Sequence, residues 1–400
     1  MKRSLSILVP AILILGPLTS SHGASTPKLG QKCTKLGISS KIGSKNLKCI
    51  KTGNMLTWQI SPAAKSSPTP TPSVTSTPAP SSSPTPIFVP AKAPTSFEDL
   101  YENRKGISYS AWLKVSESIK GNSTKIGSIE VATGPSTVGH FNNIEFALGL
   151  VSRAFPNATE PKKVIVVRYQ FKDLQWAETE IHKYVTQQEY DELNRNEGGR
   201  LLSSNCDSSN KNCEGSKQVT TQSGSALILQ GVPNTSADER MTTGMLEAHE
   251  YFHALQRIPL LGKPTGPDSW PRAWIREGSA EWVQNVVINS TNFEKYQNYI
   301  HADCSYPVAN LSESEIAEFF TASSDEQINK KYDQWLNYCL GAYGIETLVA
   351  LKGQGSIINL YSELATGIGF NSSFKNVYGI EPEKALTQVA KAVYANNINK

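Results

Sequence analysis

The fold of this chain is decided by the stretch Gly244-Met-Leu-Glu-Ala-His249-Glu250-Tyr-Phe-His253-Ala-Leu-Gln256. It contains the pattern His-Glu-x-x-His in a segment that is predicted to be helical. Residues four apart on an α-helix lie nearly one above the other, so His249 and His253 share a face. Two imidazoles one turn apart can bind a zinc ion from one side. Glu250 then lies beside the metal without binding it.

A second stretch is the best candidate to complete this site. A catalytic zinc ion usually has three protein ligands and one position that is open to water. The helix supplies two ligands, so the third is expected downstream. A further predicted helix begins there, after a proline-rich loop, with the sequence Ala273-Trp-Ile-Arg-Glu277-Gly-Ser-Ala-Glu281-Trp282.

Together the two stretches resemble the gluzincin metallopeptidases, the clan that includes thermolysin-like and aminopeptidase-N-like enzymes. The resemblance is close over residues 244–282 and loose as far as about residue 380. It implies a zincin-like catalytic domain in which Glu277, the Glu before Gly, is the third zinc ligand. It also implies that Glu250 takes a proton from a zinc-activated water as that water attacks a peptide carbonyl.

The resemblance implies roles for two further residues. Glu281, one turn after Glu277, would orient a zinc-bound histidine; the alternative is a surface acid paired with an arginine. Tyr338, in Tyr338-Cys-Leu-Gly341, resembles the tyrosine of aminopeptidase-N-like enzymes that stabilises the oxyanion; the alternative is a core tyrosine. Those enzymes also carry a Gly-x-Met-Glu-Asn stretch for the free amine of the substrate, which is missing here. An endopeptidase is therefore favoured over an aminopeptidase.

The amino terminus indicates export. Met1-Lys2-Arg3 precedes a mostly apolar run over residues 4–18 and small residues near Gly23-Ala24, a pattern typical of a cleaved signal over residues 1–24. The alternative is an uncleaved anchor. No later run is long and apolar enough to cross a bilayer. The sequence therefore predicts a secreted or cell-wall-associated protein without an integral span after cleavage.

The cysteines support export. They form three couples that are local in sequence: Cys33 with Cys49, Cys206 with Cys213, and Cys304 with Cys339. An even count in an exported chain favours disulfides over metal thiolates, and no couple has Cys-x-x-Cys spacing. Because six cysteines allow many pairings, these three disulfides are predicted from proximity alone.

Two segments precede the catalytic domain. Residues 25–60 hold seven lysines and no acidic residue, and resemble the short Gly/Cys/Trp modules at the front of exported proteins of Gram-positive bacteria. This small basic module needs a disulfide to be stable, and it either binds an anionic cell-envelope surface or is merely soluble. Residues 61–95 are nearly all Ser, Thr, Pro, Ala and Lys, which predicts a disordered linker.

The remaining residues, 96–400, predict one α+β domain with a small mixed β-sheet and a mostly helical C-terminal half. Strands are predicted at 163–169 and 225–231, the second either at a substrate-pairing edge or in the core, and a disulfide-stapled loop at 202–224. Predicted helices lie at about 97–119, 142–155, 173–194, 238–257, 273–289, 313–321, 325–352, 355–366 and 382–396.

The leading hypothesis is a secreted zinc peptidase that acts on peptide or protein substrates, with Zn²⁺ as cofactor and neither calcium nor nucleic acid as partner. Two alternatives stay open. One is a gluzincin-like body that only binds; loss of Glu250 or of a ligand would favour it, and all four residues are present. The other is an envelope-binding protein whose function is carried by residues 25–60.

Overall fold

The computed structural model describes residues 39–42, 45–52, 55–60, 89–235, 237–263, 271–308 and 310–398. The predicted signal, Cys33 and the predicted linker as far as residue 88 lie outside the described residues. The chain divides into two compact units, Met1–Thr85 and Pro86–Lys400.

The first unit contains a three-stranded antiparallel sheet. Its strands are β1 Ser39–Ile42, β2 Lys45–Thr52 and β3 Met55–Ile60, with β2 in the centre. Cys49 on β2 is buried and disulfide-bonded. Because its predicted partner Cys33 lies outside the described residues, that pairing stays a prediction.

The second unit contains a four-stranded mixed sheet in the order β4-β5-β9-β8. β4, β5 and β9 are parallel, and β8 runs antiparallel to β9. β5 and β9 are buried along nearly their whole length, which explains their continuous apolar sequences. The strands of this unit are β4 Ser128–Thr133, β5 Lys163–Tyr169, β6 Cys206–Asp207, β7 Asn212–Cys213, β8 Gly215–Thr220 and β9 Ala226–Gly231.

The strand order shows whether the strand predicted at 225–231 lies at a sheet edge or in the core. β9 pairs with a strand on each side, so it is a core strand and not the edge. The edge next to it is β8, which lies inside the predicted loop at 202–224. The stapled-loop prediction is right for the hairpin β6–β7, which the disulfide Cys206–Cys213 closes, and wrong for β8. β4 has no counterpart among the predicted strands.

Helices make up most of the rest, as predicted for the C-terminal half. A large core joins one face of the sheet to the helical half, and a smaller core fills the other face. The helices are α1 Ile107–Gly121, α2 Ile144–Ala154, α3 Leu174–Ile181, α4 Gln187–Asn196, α5 Glu239–Thr243, α6 Met245–Arg257, α7 Ala273–Ile288, α8 Phe293–Val308, α9 Glu313–Thr321, α10 Asp325–Lys331, α11 Leu336–Lys352, α12 Gly355–Leu364, α13 Phe370–Tyr378 and α14 Pro382–Val393.

Three predicted helices are shortened or divided by polar side chains that bond to the backbone. The Asp99 carboxylate accepts from the amides of residues 95 and 96, so turns replace the start of the helix predicted at 97–119. Thr186 caps α4 and separates it from α3. Asp333 accepts from the amide of residue 335 and separates α10 from α11.

The second predicted disulfide of this unit is also confirmed. Cys304 on α8 is joined to Cys339 on α11. Two disulfides indicate an extracellular or otherwise oxidising environment. Among the described residues, no helix combines the length and apolar character that a bilayer span requires.

Candidate metal centre

The direction of α6 is set by Gly244. This residue ends α5 and begins α6 with φ +90°, a left-handed conformation that favours glycine. A Cβ atom here would lie 2.7 Å from the Phe141 ring and 2.9 Å from the Ala147 side chain. The helix predicted at 238–257 is therefore two helices, and the bend turns the His-Glu-x-x-His segment into the core.

A buried polar network ties α6 to the sheet. The Arg168 guanidinium on β5 donates to Glu247 Oε1 on α6 at 2.9 Å and to Gln230 Oε1 on β9 at 2.7 Å. Gln230 Nε2 donates to Glu247 Oε1 at 3.1 Å. None of these three residues is among the predicted site residues. For Arg168 and Gln230 the sequence signal is a polar residue inside an apolar strand.

The position of α7 depends on a close contact with α11. A Cβ atom on Gly278 would lie 2.4 Å from the carbonyl carbon of Gly341, and one on Gly341 would lie 2.5 Å from the Trp274 carbonyl oxygen. The glycines of the Glu-Gly and Tyr-x-x-Gly patterns therefore touch each other. This contact places Glu277 and Tyr338, on neighbouring helices, beside the same cleft.

Three of the predicted residues converge there. His253 Nε2 lies 3.1 Å from His249 Nε2 and 3.1 Å from Glu277 Oε2. His249 Nε2 lies 3.8 Å from the same Glu277 oxygen. Both histidines are buried, and Glu277 is partly buried. These residues could hold a metal ion, because one ligand atom from each lies within 4.8 Å of the others.

The His253 ring is oriented by Gln256, one turn away from it at the end of α6. His253 Nδ1 lies 2.7 Å from Gln256 Oε1, while Gln256 Nε2 donates to the Arg276 carbonyl and to Ser279 Oγ on α7. An amide whose nitrogen is already donating can only accept through its oxygen, so Nδ1 carries the proton. The lone pair of Nε2 then faces the other two ligand atoms. The predicted site did not include Gln256.

Glu281 lies on the other side of His249. Its Oε2 is 3.6 Å from His249 Nδ1, which is longer than a hydrogen bond. Its Oε1 accepts from Gln284 Nε2 at 2.5 Å and from the Tyr299 hydroxyl at 3.3 Å. Glu281 is buried, so it is not the surface acid of the alternative interpretation.

Glu250 is buried at the same cleft. Burial raises the pKa of its carboxyl, while the charges of His249 and His253 act in the opposite direction. Burial also acts to raise the pKa of Glu277, but the contacts with His253 and His249 hold it well below the usual value. The pKa values of Glu250 and Glu277 are therefore shifted in opposite directions.

Tyr338 lies at the cleft wall. Its ring stacks on Trp335 with centroids 4.9 Å apart and lies 6.1 Å from the His249 ring, nearly parallel to it. Burial and the charges of Glu277 and Glu250 raise the pKa of its hydroxyl, which therefore stays protonated. A protonated phenol beside the centre is able to donate a hydrogen bond.

The cleft has a volume of about 650 Å³. One wall is formed by the first residues of the edge strand β8, Gly215 to Gln218. The outer side of an edge strand presents backbone groups that are free to pair with an extended chain. The structure therefore brings all six predicted site residues to one cleft beside a sheet edge. They lie on the three helices α6, α7 and α11.

No protein-family model matches the sequence, and neither a curated protein nor a solved structure gives a significant match. The function of the cleft is therefore inferred from its own residues.

Proposed function

We propose that this chain is a secreted zinc-dependent peptidase of the gluzincin type with a zincin-like catalytic domain. The proposal rests on one observation, the convergence of His249, His253 and Glu277 beside the buried Glu250. Two imidazoles and a carboxylate are a donor set that suits zinc, and three protein ligands leave a position for water.

The spacing of the ligand atoms supports zinc. Metal–ligand distances of about 2.0–2.1 Å place neighbouring ligands of a tetrahedral ion roughly 3.3–3.4 Å apart. The three separations among His249, His253 and Glu277 are 3.1, 3.1 and 3.8 Å, and so bracket that value. Calcium prefers six to eight oxygen ligands, which this donor set does not offer.

The residues around the ligands can carry out peptide hydrolysis. A bound zinc ion supplies positive charge that polarises the peptide carbonyl and acidifies a water molecule. Glu250 accepts a proton from the attacking water on a carboxylate oxygen and returns it to the departing amine nitrogen. The Tyr338 hydroxyl donates a hydrogen bond to the oxyanion that develops on the carbonyl. Glu281, whose Oε2 lies 3.6 Å from His249 Nδ1, orients the His249 ring by its negative charge.

The edge strand favours cleavage within a chain. An extended substrate that pairs with the backbone of β8 continues past the centre in both directions, as an endopeptidase requires. Pairing through backbone groups is independent of side chains, so β8 supplies affinity and leaves selectivity to other residues of the cleft.

The test compares purified wild-type protein with Glu277→Gln and with Glu294→Gln, an exposed control on α8. Wild type and control are expected to contain about one zinc ion per chain and to hydrolyse casein in a chelator-sensitive way. Glu277→Gln is expected to lose most of its zinc and its hydrolysis. Zinc without hydrolysis would instead favour the binding-only alternative, and a wild-type protein that binds no zinc would refute the proposal.

A further inference from the structure

Arg257 lies at the end of α6, one turn beyond His253, and lines the same cleft. Four residues along a helix correspond to about 6 Å. Its side chain is partly buried, and its Nε atom is enclosed without a hydrogen-bond partner. A buried donor without an acceptor is costly, so this group needs an explanation.

The other basic side chains of the cleft each have a carboxylate partner. The three ion pairs are Lys217–Glu197 at 2.6 Å, Arg240–Asp238 at 3.0 Å and Arg276–Glu277 at 2.9 Å. In the part of the chain that the structure describes, Arg257 makes no ion pair and no side-chain hydrogen bond. Glu197, Glu250 and Glu277 act on it electrostatically, but none is within bonding distance.

A second unpaired donor lies nearby. The Tyr361 hydroxyl on α12 is fully buried, has no hydrogen-bond partner among the described residues, and interacts electrostatically with Arg257 and Arg276. Arg257 and Arg276 also repel each other. Of these three interacting side chains, Arg276 has a carboxylate partner, whereas Arg257 and Tyr361 have none within hydrogen-bonding distance among the described residues. A carboxylate, which only accepts, is a group that would pair with the unpaired guanidinium of Arg257.

We propose that Arg257, with Arg276 beside it, binds a carboxylate of the peptide substrate close to the bond that is cleaved. This inference rests on the proposed peptidase function and names its substrate class. The planar guanidinium fork matches a carboxylate with two parallel hydrogen bonds.

The carboxylate has two possible sources in a peptide, an acidic side chain and the free C-terminus. Both offer the same chemistry to Arg257. A purely charge-balancing arginine would behave differently, because its removal would change hydrolysis of acidic and neutral substrates alike. The relevant readout is therefore a ratio between matched peptides.

The experiment begins with an equimolar library of synthetic peptides digested by the wild-type protein, with cleavage sites identified by mass spectrometry. Two variants of the best-cleaved peptide are then synthesised. In one, the acidic residue nearest the cleaved bond is replaced by its amide (Glu by Gln or Asp by Asn). In the other, the C-terminus is amidated. One of the two replacements is expected to lower kcat/KM about 10-fold to 100-fold, the range for hydrogen bonds to charged groups. Which replacement does so identifies the source of the carboxylate.

Variants of Arg257 assign the preference to this side chain. Arg257→Gln is expected to hydrolyse the matched peptides at equal rates, and Arg257→Lys to retain part of the preference because it keeps the charge without the fork. Arg272→Gln is the matched control, since Arg272 also has an enclosed, unpaired Nε but does not line the cleft. A preference that persists in Arg257→Gln, or no preference in the wild type, overturns the inference.

Failure of the peptidase proposal itself is recognised separately. If no peptide is cleaved, binding of dye-labelled Ala-Ala-Glu-Ala-Ala and Ala-Ala-Gln-Ala-Ala, each as acid and as amide, is measured by fluorescence polarisation. Tighter binding of a carboxylate-bearing member that Arg257→Gln abolishes supports the carboxylate site without hydrolysis. Equal binding of all four peptides refutes the site.

Discussion

Two buried polar clusters of the unit Pro86–Lys400 differ in how their atoms are paired. In the cluster around Glu346 on α11, Oε1 accepts from the Tyr296 hydroxyl and Oε2 accepts from Ser108 Oγ at 3.0 Å. Tyr296 in turn accepts from Trp282 Nε1 at 2.8 Å. Each acceptor in this chain of contacts has a donor, so the cluster is complete within the protein.

At the candidate metal centre, the polar atoms that face one another are not paired in this way. With the Nδ1 proton of His253 directed to Gln256, the lone pair of Nε2 faces the Oε2 atom of Glu277 at 3.1 Å and Nε2 of His249 at the same distance. A metal ion shared by the three groups would satisfy these lone pairs. The comparison teaches that burial and shifted pKa values are common to both clusters. The pairing of donors with acceptors is what distinguishes the two clusters.

The largest expected effect comes from removing the proposed general base, Glu250. Glu250→Gln keeps the ligands and is expected to lower kcat for casein about 10³-fold while zinc content stays near wild type. Glu346→Gln is the matched control from the complete cluster and is expected to retain activity at temperatures where it is folded. Equal activity of Glu250→Gln and the wild type would remove Glu250 from the proposed mechanism.

The next effect tests the helix contact that positions Glu277. Gly278→Ala introduces a Cβ that the Gly341 backbone leaves no room for, and it is expected to cost about 3 kcal/mol of unfolding free energy because α7 has to move. Urea unfolding measures the loss, and zinc content is expected to fall with it. Gly355→Ala, at a position with no atom within 4 Å, is the control. A fully stable Gly278→Ala protein would contradict the packing argument.

The complete cluster predicts a dependence of stability on pH. Burial raises the pKa of Glu346 to about 7, against an ordinary value of 4.5. The folded state therefore binds the proton more tightly, and the stability this provides is full below pH 4.5 and is lost as pH rises through 7. The stability difference between wild type and Glu346→Gln is expected to shift against the wild type by about 2 kcal/mol from pH 5 to pH 8. The exposed Glu383→Gln gives the baseline, and a difference that is the same at both pH values would contradict the assignment.

The smallest effect concerns the orientation of a ligand. Gln256→Ala removes the acceptor for His253 Nδ1, and zinc affinity is expected to weaken about 10-fold to 100-fold. Competition with a chelator measures the change. Gln354→Ala, whose amide bonds to the Ala154 carbonyl away from the centre, is the control. An unchanged affinity in Gln256→Ala would mean that His253 is oriented by packing alone.

The sequence predicted the residues of the centre better than it predicted their supports. His249, Glu250 and His253 share a helical turn, so local spacing alone places them together. Glu277 was predicted as the third ligand from the resemblance to gluzincins, because no rule of local spacing relates a residue on α7 to the histidines on α6. Gln256 and Arg168 act through contacts that exist only after folding. A single sequence therefore gives no spacing signal for them.

The fold was predicted where the apolar pattern was strong. β5 and β9 are continuous apolar runs and were found, whereas β8 is polar and is a strand because it pairs with β9. β4 is largely exposed and lacks such a run. α8 and α13 have no predicted counterpart. α13 is rich in Asn and Ser, which are weak helix formers, and packing of Phe370 and Phe374 in the core offsets this.

The parallel pairing of β5 with β9 sets the order in which the chain can fold. Arg168 and Gln230 are adjacent in the sheet but 62 residues apart in sequence. Closing so long a loop costs entropy before the new contacts compensate for it, so such strands join slowly. α6 follows β9 and docks on this sheet through Glu247. Zinc capture is therefore expected in the slowest refolding phase, and a zinc-sensitive dye that responds in an earlier phase would contradict this order.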